Sequence, residues 1–260
     1  MPGAVTLEPV VKEENQAPPP APSNPLKIER ALVISAHPDD PEFGFGGAIA
    51  KLTAEGVEVN YVICTDGSQG GEDPSVSDAD LSSRRYLEQR AAADVLGVKE
   101  ITFLGIPDGH LFPDLDLRRQ LVREIRRYRP ELVMTHSPVR NLGAMFGASH
   151  PDHLAVGETA MAAVYPDSRN PRAFRELLEE GFAAHRVREV WFGGLTDPDH
   201  VVDVSEYAER KLKAILCHQS QFEKPDQDPN QPRQILLERM GKLGAPHGFR
   251  YAEGFRRLET

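Results

Sequence analysis

Residues 31–47 read ALVISAHPDDPEFGFGG, and their reading decides the fold. The stretch opens with a short apolar run containing Val33 and Ile34, the pattern of a strand buried on both faces. The run stops at His37. Within six positions the chain then presents His37, Asp39, Asp40 and Glu42, all able to bind a metal or move a proton, interrupted by Pro38 and Pro41. Ligand sites in open α/β sheets lie outside the carboxyl ends of strands, so the chemistry is expected here.

Working outward, Gly44 to Gly47 predicts a helix running through Leu52 and ending at Gly56, and Val57 to Cys64 predicts a second strand. Strand, helix, strand within about 35 residues is a βαβ unit with a parallel pair. Thr65 to Ser82 reads as a long polar loop forming a lid or rim. A helix from Ser83 to Gly97, strands at 101–104 and 131–135, and a helix from Asp116 to Tyr128 continue the alternation. A loop at 136–149 leads to His150-Pro151-Asp152-His153 at another helix start, followed by strands at 187–192 and 201–204 and a helix from Ser205. The fold class is therefore α/β: a Rossmann-like, doubly wound, mainly parallel sheet in a single domain. Residues 1–26 form a Pro-rich flexible tail, 27–222 the catalytic domain, and 223–260 an extension without an assigned partner.

Composition narrows the function. A formal net charge of -10 and a pI near 5.4 oppose a nucleic-acid partner, because phosphate binding needs clustered Lys and Arg. The arginines of 118–129 alternate with Leu121, Val122 and Ile125 at helical spacing and read as a solvated face. Cys64 and Cys217 are too few for a disulfide framework or a thiolate zinc site. No segment has the pattern of a signal peptide or approaches the ~20 apolar residues of a membrane span, so a cytoplasmic protein is expected.

His37, Asp40 and His153 supply two imidazoles and one carboxylate at strand-to-helix junctions, the protein share of a catalytic zinc site that keeps a fourth position for water. Asp39 is left free as the general base. Iron uses the same residue types, so residue types leave zinc or iron open. The competing reading of His37 to Asp40 alone is a turn whose aspartates cap the next helix. His136 ends a strand nearby, where support of the ligands and no role at all fit equally. His218 is read as structural.

Several motifs together resemble the LmbE or PIG-L family of zinc-dependent deacetylases. They are AHPDD with its Gly-rich helix start, TDG at 65–67, Arg85-x-x-Glu88 before AAADVLG, PDG at 107–109 and HPDH at 150–153, spread over roughly residues 28–221. The resemblance implies one zinc per chain held by His37, Asp40 and His153, with Asp39 as base. It also implies that His150, oriented by Asp152, stabilises the oxyanion or protonates the leaving amine. Arg85 would help hold the substrate, and Asp108 would bond a sugar hydroxyl or a ligand histidine. The implied substrate is a small N-acetylated amino sugar or conjugate, with no nucleic-acid partner; a homo-oligomer is admitted. Alternatives are a metal-dependent amidase for another amide, and a nucleotide-binding module suggested by GFGG, whose glycine spacing is incomplete.

Overall fold

A computed structural model describes residues 27–142, 149–222 and 231–260. The expected tail at 1–26, residues 143–148 of the 136–149 loop and the segment 223–230 lie outside the described residues. Strand β1 (Arg30–Ser35) alternates as a doubly covered strand must: Ala31 and Val33 join the apolar cluster on one face of the sheet, Leu32 and Ile34 the cluster on the other. It is followed by α1 (Asp40–Ala54), β2 (Glu58–Thr65), α2 (Asp78–Leu96), β3 (Glu100–Ile106), α3 (Leu115–Tyr128), β4 (Leu132–His136) and α4 (Pro151–Ala162). Next come α5 (Arg175–Glu179), β5 (Glu189–Gly193), β6 (His200–Asp203), α6 (Ala208–Ile215), α7 (Gln231–Gly244) and β7 (Ala252–Glu259).

The sheet order is β3-β2-β1-β4-β5-β7-β6, parallel from β3 to β5. The chain winds outward from β1 to β3 and then crosses to β4 on the other side of β1. That reversal opens a crevice between the carboxyl ends of β1 and β4, where the two histidine motifs meet. Phe45, Ile49, Ala93 and Leu96 bring α1 and α2 onto one face, with Ala214 of α6 beside them. Leu121, Val122 and Ile125 of α3 and Val156 and Ala160 of α4 cover the other.

Two helix boundaries, one arginine and the C-terminal segment differ from expectation. Helix α1 starts at Asp40, not at Gly44, because Pro41 sits in the first turn, where its missing N–H is not needed. Helix α2 starts at Asp78, since Ser77 Oγ accepts the Asp80 amide at 3.2 Å, so the polar loop before it is shorter. Arg126, expected on the solvated face of α3, is buried and donates to the carbonyls of Asp167, Asn170 and Ala173. The C-terminal segment completes the sheet: β7 pairs antiparallel with β5 and with β6. Among the described residues no helix is long and apolar enough to cross a membrane.

Candidate metal centre

His37 and Asp40 arrive at the crevice from the turn after β1, and His153 from the first turn of α4 beside it. His37 Nδ1 lies 3.3 Å from Asp40 Oδ2 and 3.2 Å from His153 Nε2, and His153 Nε2 lies 3.1 Å from Asp40 Oδ1. Donor atoms around a tetrahedral zinc with bonds of about 2.0–2.2 Å are separated by roughly 3.3–3.5 Å, close to the spacing found here. The two ring nitrogens and the Asp40 carboxylate, which meets each of them through a different oxygen, are thus gathered at the spacing that one tetrahedral ion requires.

Hydrogen bonding explains why these donors, out of four neighbouring histidines, are the ones left over. His37 Nε2 faces two carboxylates, Asp108 Oδ1 at 3.1 Å and Asp152 Oδ2 at 3.2 Å, so the ring hydrogen belongs there and the Nδ1 lone pair is free. His136 Nε2 accepts the Ala36 amide at 3.1 Å, which occupies its lone pair. His136 stacks on His153 with centroids 4.0 Å apart and stands 3.3 Å from Asp40, and these three also form a group close enough to hold an ion. His150 Nδ1 accepts the Asp152 amide at 3.2 Å as the N-cap of α4, so a neutral His150 carries its hydrogen on Nε2. That leaves Nε2–H as a donor, although His150 also lies with His37 and His153 in a group close enough to hold an ion.

The charge balance also fits a cation. Burial would lower the pKa of His37, yet the carboxylates of Asp108, Asp152 and Asp40 push it up to about 12. Burial opposes ionisation of Asp40, but His153 and His136 hold its carboxyl well below the usual range. Burial and the repulsion of His153 bring His136 down to about 4, and burial with His37 and His153 lowers His150. Carboxylates converge on His37 and favour positive charge there, while His136 and His150 resist protonation, and a divalent ion among these groups would offset the excess of anions.

Asp39 lies between the two donors of the turn but faces elsewhere. Its backbone is at φ 98°, ψ -32°, a conformation that costs a non-glycine residue on the order of 1–3 kcal/mol. Its side chain makes no capping bond to α1, which removes the simple-cap reading. Instead Asp39 Oδ2 accepts Arg85 Nη2 at 3.1 Å, while its amide donates to Gln89 Oε1 at 2.8 Å. Burial raises the Asp39 carboxyl to about 6, with Asp40 adding to the rise and Arg85 opposing it.

Two expected roles change in detail. Arg85 is buried and spends its hydrogen bonds on Asp39 and on the carbonyls of Pro38 and Gly67, so it braces the turn instead of reaching into open space for a substrate. Gly70 makes room for it, since a Cβ there would sit 2.0 Å from Arg85 Nη1. The Asp152 carboxylate orients His37 and accepts the Gly109 amide at 2.8 Å; it meets His150 only through its own backbone N–H. Asp108 does bond a donor histidine, His37, and its second oxygen accepts the Gln69 amide at 3.2 Å.

Gln89 was not singled out from the sequence, and Glu42, read there as able to bind a metal or move a proton, is its partner instead. Gln89 Nε2 donates to both oxygens of Glu42 at 3.0 Å, and Glu42 is further held by Tyr61 at 3.2 Å and His218 at 3.1 Å. A signal existed: Arg85, Glu88 and Gln89 recur at i, i+3, i+4, placing three polar groups on the buried face of α2. The glycines of GFGG lie inside α1 and carry no phosphate loop. The Gly47 and Ala48 amides donate, each at 2.8 Å, to the Glu253 carboxylate of β7. A protein anion already occupies the place a nucleotide phosphate would need.

The family profile described as PIG-L, GlcNAc-PI de-N-acetylase, matches residues 32–164. A diacetylchitobiose deacetylase of Thermococcus kodakarensis is 36% identical over 231 residues, 88% of this chain and 83% of that protein. A 1D-myo-inositol 2-acetamido-2-deoxy-alpha-D-glucopyranoside deacetylase of Saccharopolyspora erythraea is 30% identical, over 74% of this chain and 77% of its own. Among solved structures, the N,N'-diacetylchitobiose deacetylase from Pyrococcus horikoshii, complexed with its inhibitor MPG, aligns with a TM-score of 0.81 and 34% identity, covering 89% of this chain and 84% of that one. The chain belongs to the PIG-L family of de-N-acetylases.

Proposed function

We propose that this protein is a zinc-dependent hydrolase that removes the acetyl group from an N-acetylglucosamine-type amino sugar or conjugate, working in the cytoplasm on a small substrate. The observation that carries the reading is the convergence of His37 Nδ1, Asp40 and His153 Nε2 at 3.1–3.3 Å beside a half-buried carboxylate, Asp39, whose pKa is raised to about 6. His37, Asp40 and His153 would hold the zinc. When bound, it supplies Lewis acidity and a water whose pKa is near ~7.

The remaining steps belong to the chain. Asp39 takes a proton as water oxygen bonds to the amide carbon, and a carboxyl near 6 is matched to accepting that proton and giving it back near neutrality. His150 presents Nε2–H to the acyl oxygen as charge gathers there. The C–N bond breaks, the proton passes to the departing amine, and acetate and the free amino sugar result. Asp108 and Asp152 fix the His37 ring, and Arg85 fixes Asp39.

The test is acetate release from a panel of N-acetylated amino sugars, measured beside metal content. The expected result is about one zinc per chain with turnover, and loss of both in His153→Ala. Zinc-loaded protein that releases no acetate from any N-acetylated sugar would overturn the reading.

A further inference from the structure

A cavity of about 550 Å3 reaches the metal centre from the side of the C-terminal helix, with Asp40, His136 and His153 on its wall. Its far wall is α7. Leu236, Arg239, Met240 and Leu243 all line it, and their i, i+3, i+4, i+7 spacing puts them on one stripe of that helix. Opposite stand Phe43, which is 38% exposed, and Leu195. A space of this size, mostly apolar with a few polar groups, has the character of a small-molecule subsite.

The charged groups of the cavity are not equivalent. Lys211 is neutralised by Glu253 at 2.6 Å and also donates to the Phe43 carbonyl at 2.8 Å. Asp40 belongs to the donor set of the metal. Arg239 is exposed and makes no hydrogen bond or ion pair with the described residues. Arg239 is therefore the charged residue of this lining that has no partner among the described residues, and guanidinium groups bind carboxylates and phosphates through paired N–H bonds.

We infer that the cavity between α7 and the metal centre is the subsite for the part of the substrate beyond the acetamido sugar, and that Arg239 selects an acidic group, carboxylate or phosphate, on that part. The inference rests on the deacetylase reading above. It assigns to the C-terminal segment the choice among amino-sugar conjugates, while the strand-end residues perform the hydrolysis. The apolar stripe of α7 packs the linker, and the guanidinium pairs with the acid at its end.

The experiment uses the zinc-loaded full-length protein and three probes: the methyl glycoside of N-acetylglucosamine, its carboxymethyl glycoside, and N-acetylglucosamine 1-phosphate. For each, kcat/KM is measured by acetate release and Kd by calorimetry, in wild type, Arg239→Gln and Arg239→Lys. The expected wild-type preference for an acidic probe over the methyl glycoside is roughly 10-fold or more, the size of a charge-assisted hydrogen bond. That ratio should collapse in Arg239→Gln and be partly kept in Arg239→Lys; which acid leads separates the carboxylate from the phosphate. An acid-to-neutral ratio near one in wild type, or a ratio unchanged by Arg239→Gln, overturns the subsite. If no probe releases acetate, the deacetylase reading fails on its own, and the Kd ratios still decide the role of Arg239.

Discussion

From β3 to β5 the strands run parallel, and the ends of β1, β3 and β4 lead to His37 and Asp40, Asp108 and His136, whereas β7 runs antiparallel between β5 and β6 and, among the described residues, adds none to the groups that could hold a metal. The parallel half brings chemistry together because all its strands end on one side of the sheet. The antiparallel edge instead sends a carboxylate sideways, Glu253, into the amides of α1, and with α7 it walls the cavity beside the site. On the proposed reading, reaction and selection lie in different halves, joined through α1.

The sharpest way to test the first half is to remove its base while sparing its metal. Asp39→Asn keeps the shape and the contact with Arg85, so zinc content should stay at the wild-type value. Loss of a general base lowers kcat by about 10²- to 10⁴-fold, roughly 3–5 kcal/mol of barrier. Because burial raises the Asp39 carboxyl to about 6, its base form prevails above that pH and is lost below it. Wild-type kcat/KM should therefore fall on acidification through about pH 6 or slightly lower, since a bound cation favours the ionised form; Asp39→Asn should lack that limb. Near wild-type turnover in Asp39→Asn with zinc retained removes Asp39 from the proton transfer.

The second half is tested through Glu253. The Lys211–Glu253 pair is buried on both sides, at 2.6 Å, and Glu253 also satisfies two amides within α1. Removing one partner of a buried pair leaves an uncompensated charge and costs about 3–5 kcal/mol. Glu253→Ala should show this loss in denaturant unfolding, and Glu253→Gln, which still offers an acceptor, should lose less. A loss under about 1 kcal/mol in Glu253→Ala would mean that α1 does not depend on the edge strand.

These two regions were not equally legible. The convergence of the proposed metal donors could be read because each motif is short and sits where a strand meets a helix; the fold followed from buried apolar runs alternating with helices. Roles that depend on side-chain direction were harder. Asp152 is two residues from His150, yet its carboxylate turns to His37, because the first turn of α4 points it inward while its amide caps back onto His150. Arg85 was found at the site, but its partner could not be read, since Asp39 lies 46 positions away and only the closed turn brings them together. The position of β7 depends on pairing with β5 more than 60 residues earlier in the chain, which no local pattern encodes. Pro41 looked like an interruption and is the first turn of α1, a place where proline is favoured.

The smallest expected effect lies at the junction between a strained backbone and its support. Asp39 holds φ 98° because the surrounding contacts outweigh the strain, and one of them is the 2.8 Å bond from its amide to Gln89 Oε1. Gln89 is itself locked from the other end by both oxygens of Glu42. Gln89→Met keeps length and volume but offers neither acceptor nor donor, and a buried hydrogen bond lost with one partner left behind costs about 1–3 kcal/mol. Part of that loss appears as lower stability. The remainder lets the turn relax, so that Asp39 spends less time aimed at the attacking water. The expected outcome is a fall in kcat of roughly 10-fold with KM within about twofold and zinc content unchanged, a split that separates positioning from substrate binding. Gln89→Glu, which restores an acceptor for the Asp39 amide but sets a carboxylate against Glu42, should not recover the activity. If Gln89→Met unfolds more easily yet turns over at the wild-type rate, Gln89 serves the fold alone, and Arg85 suffices to aim the base.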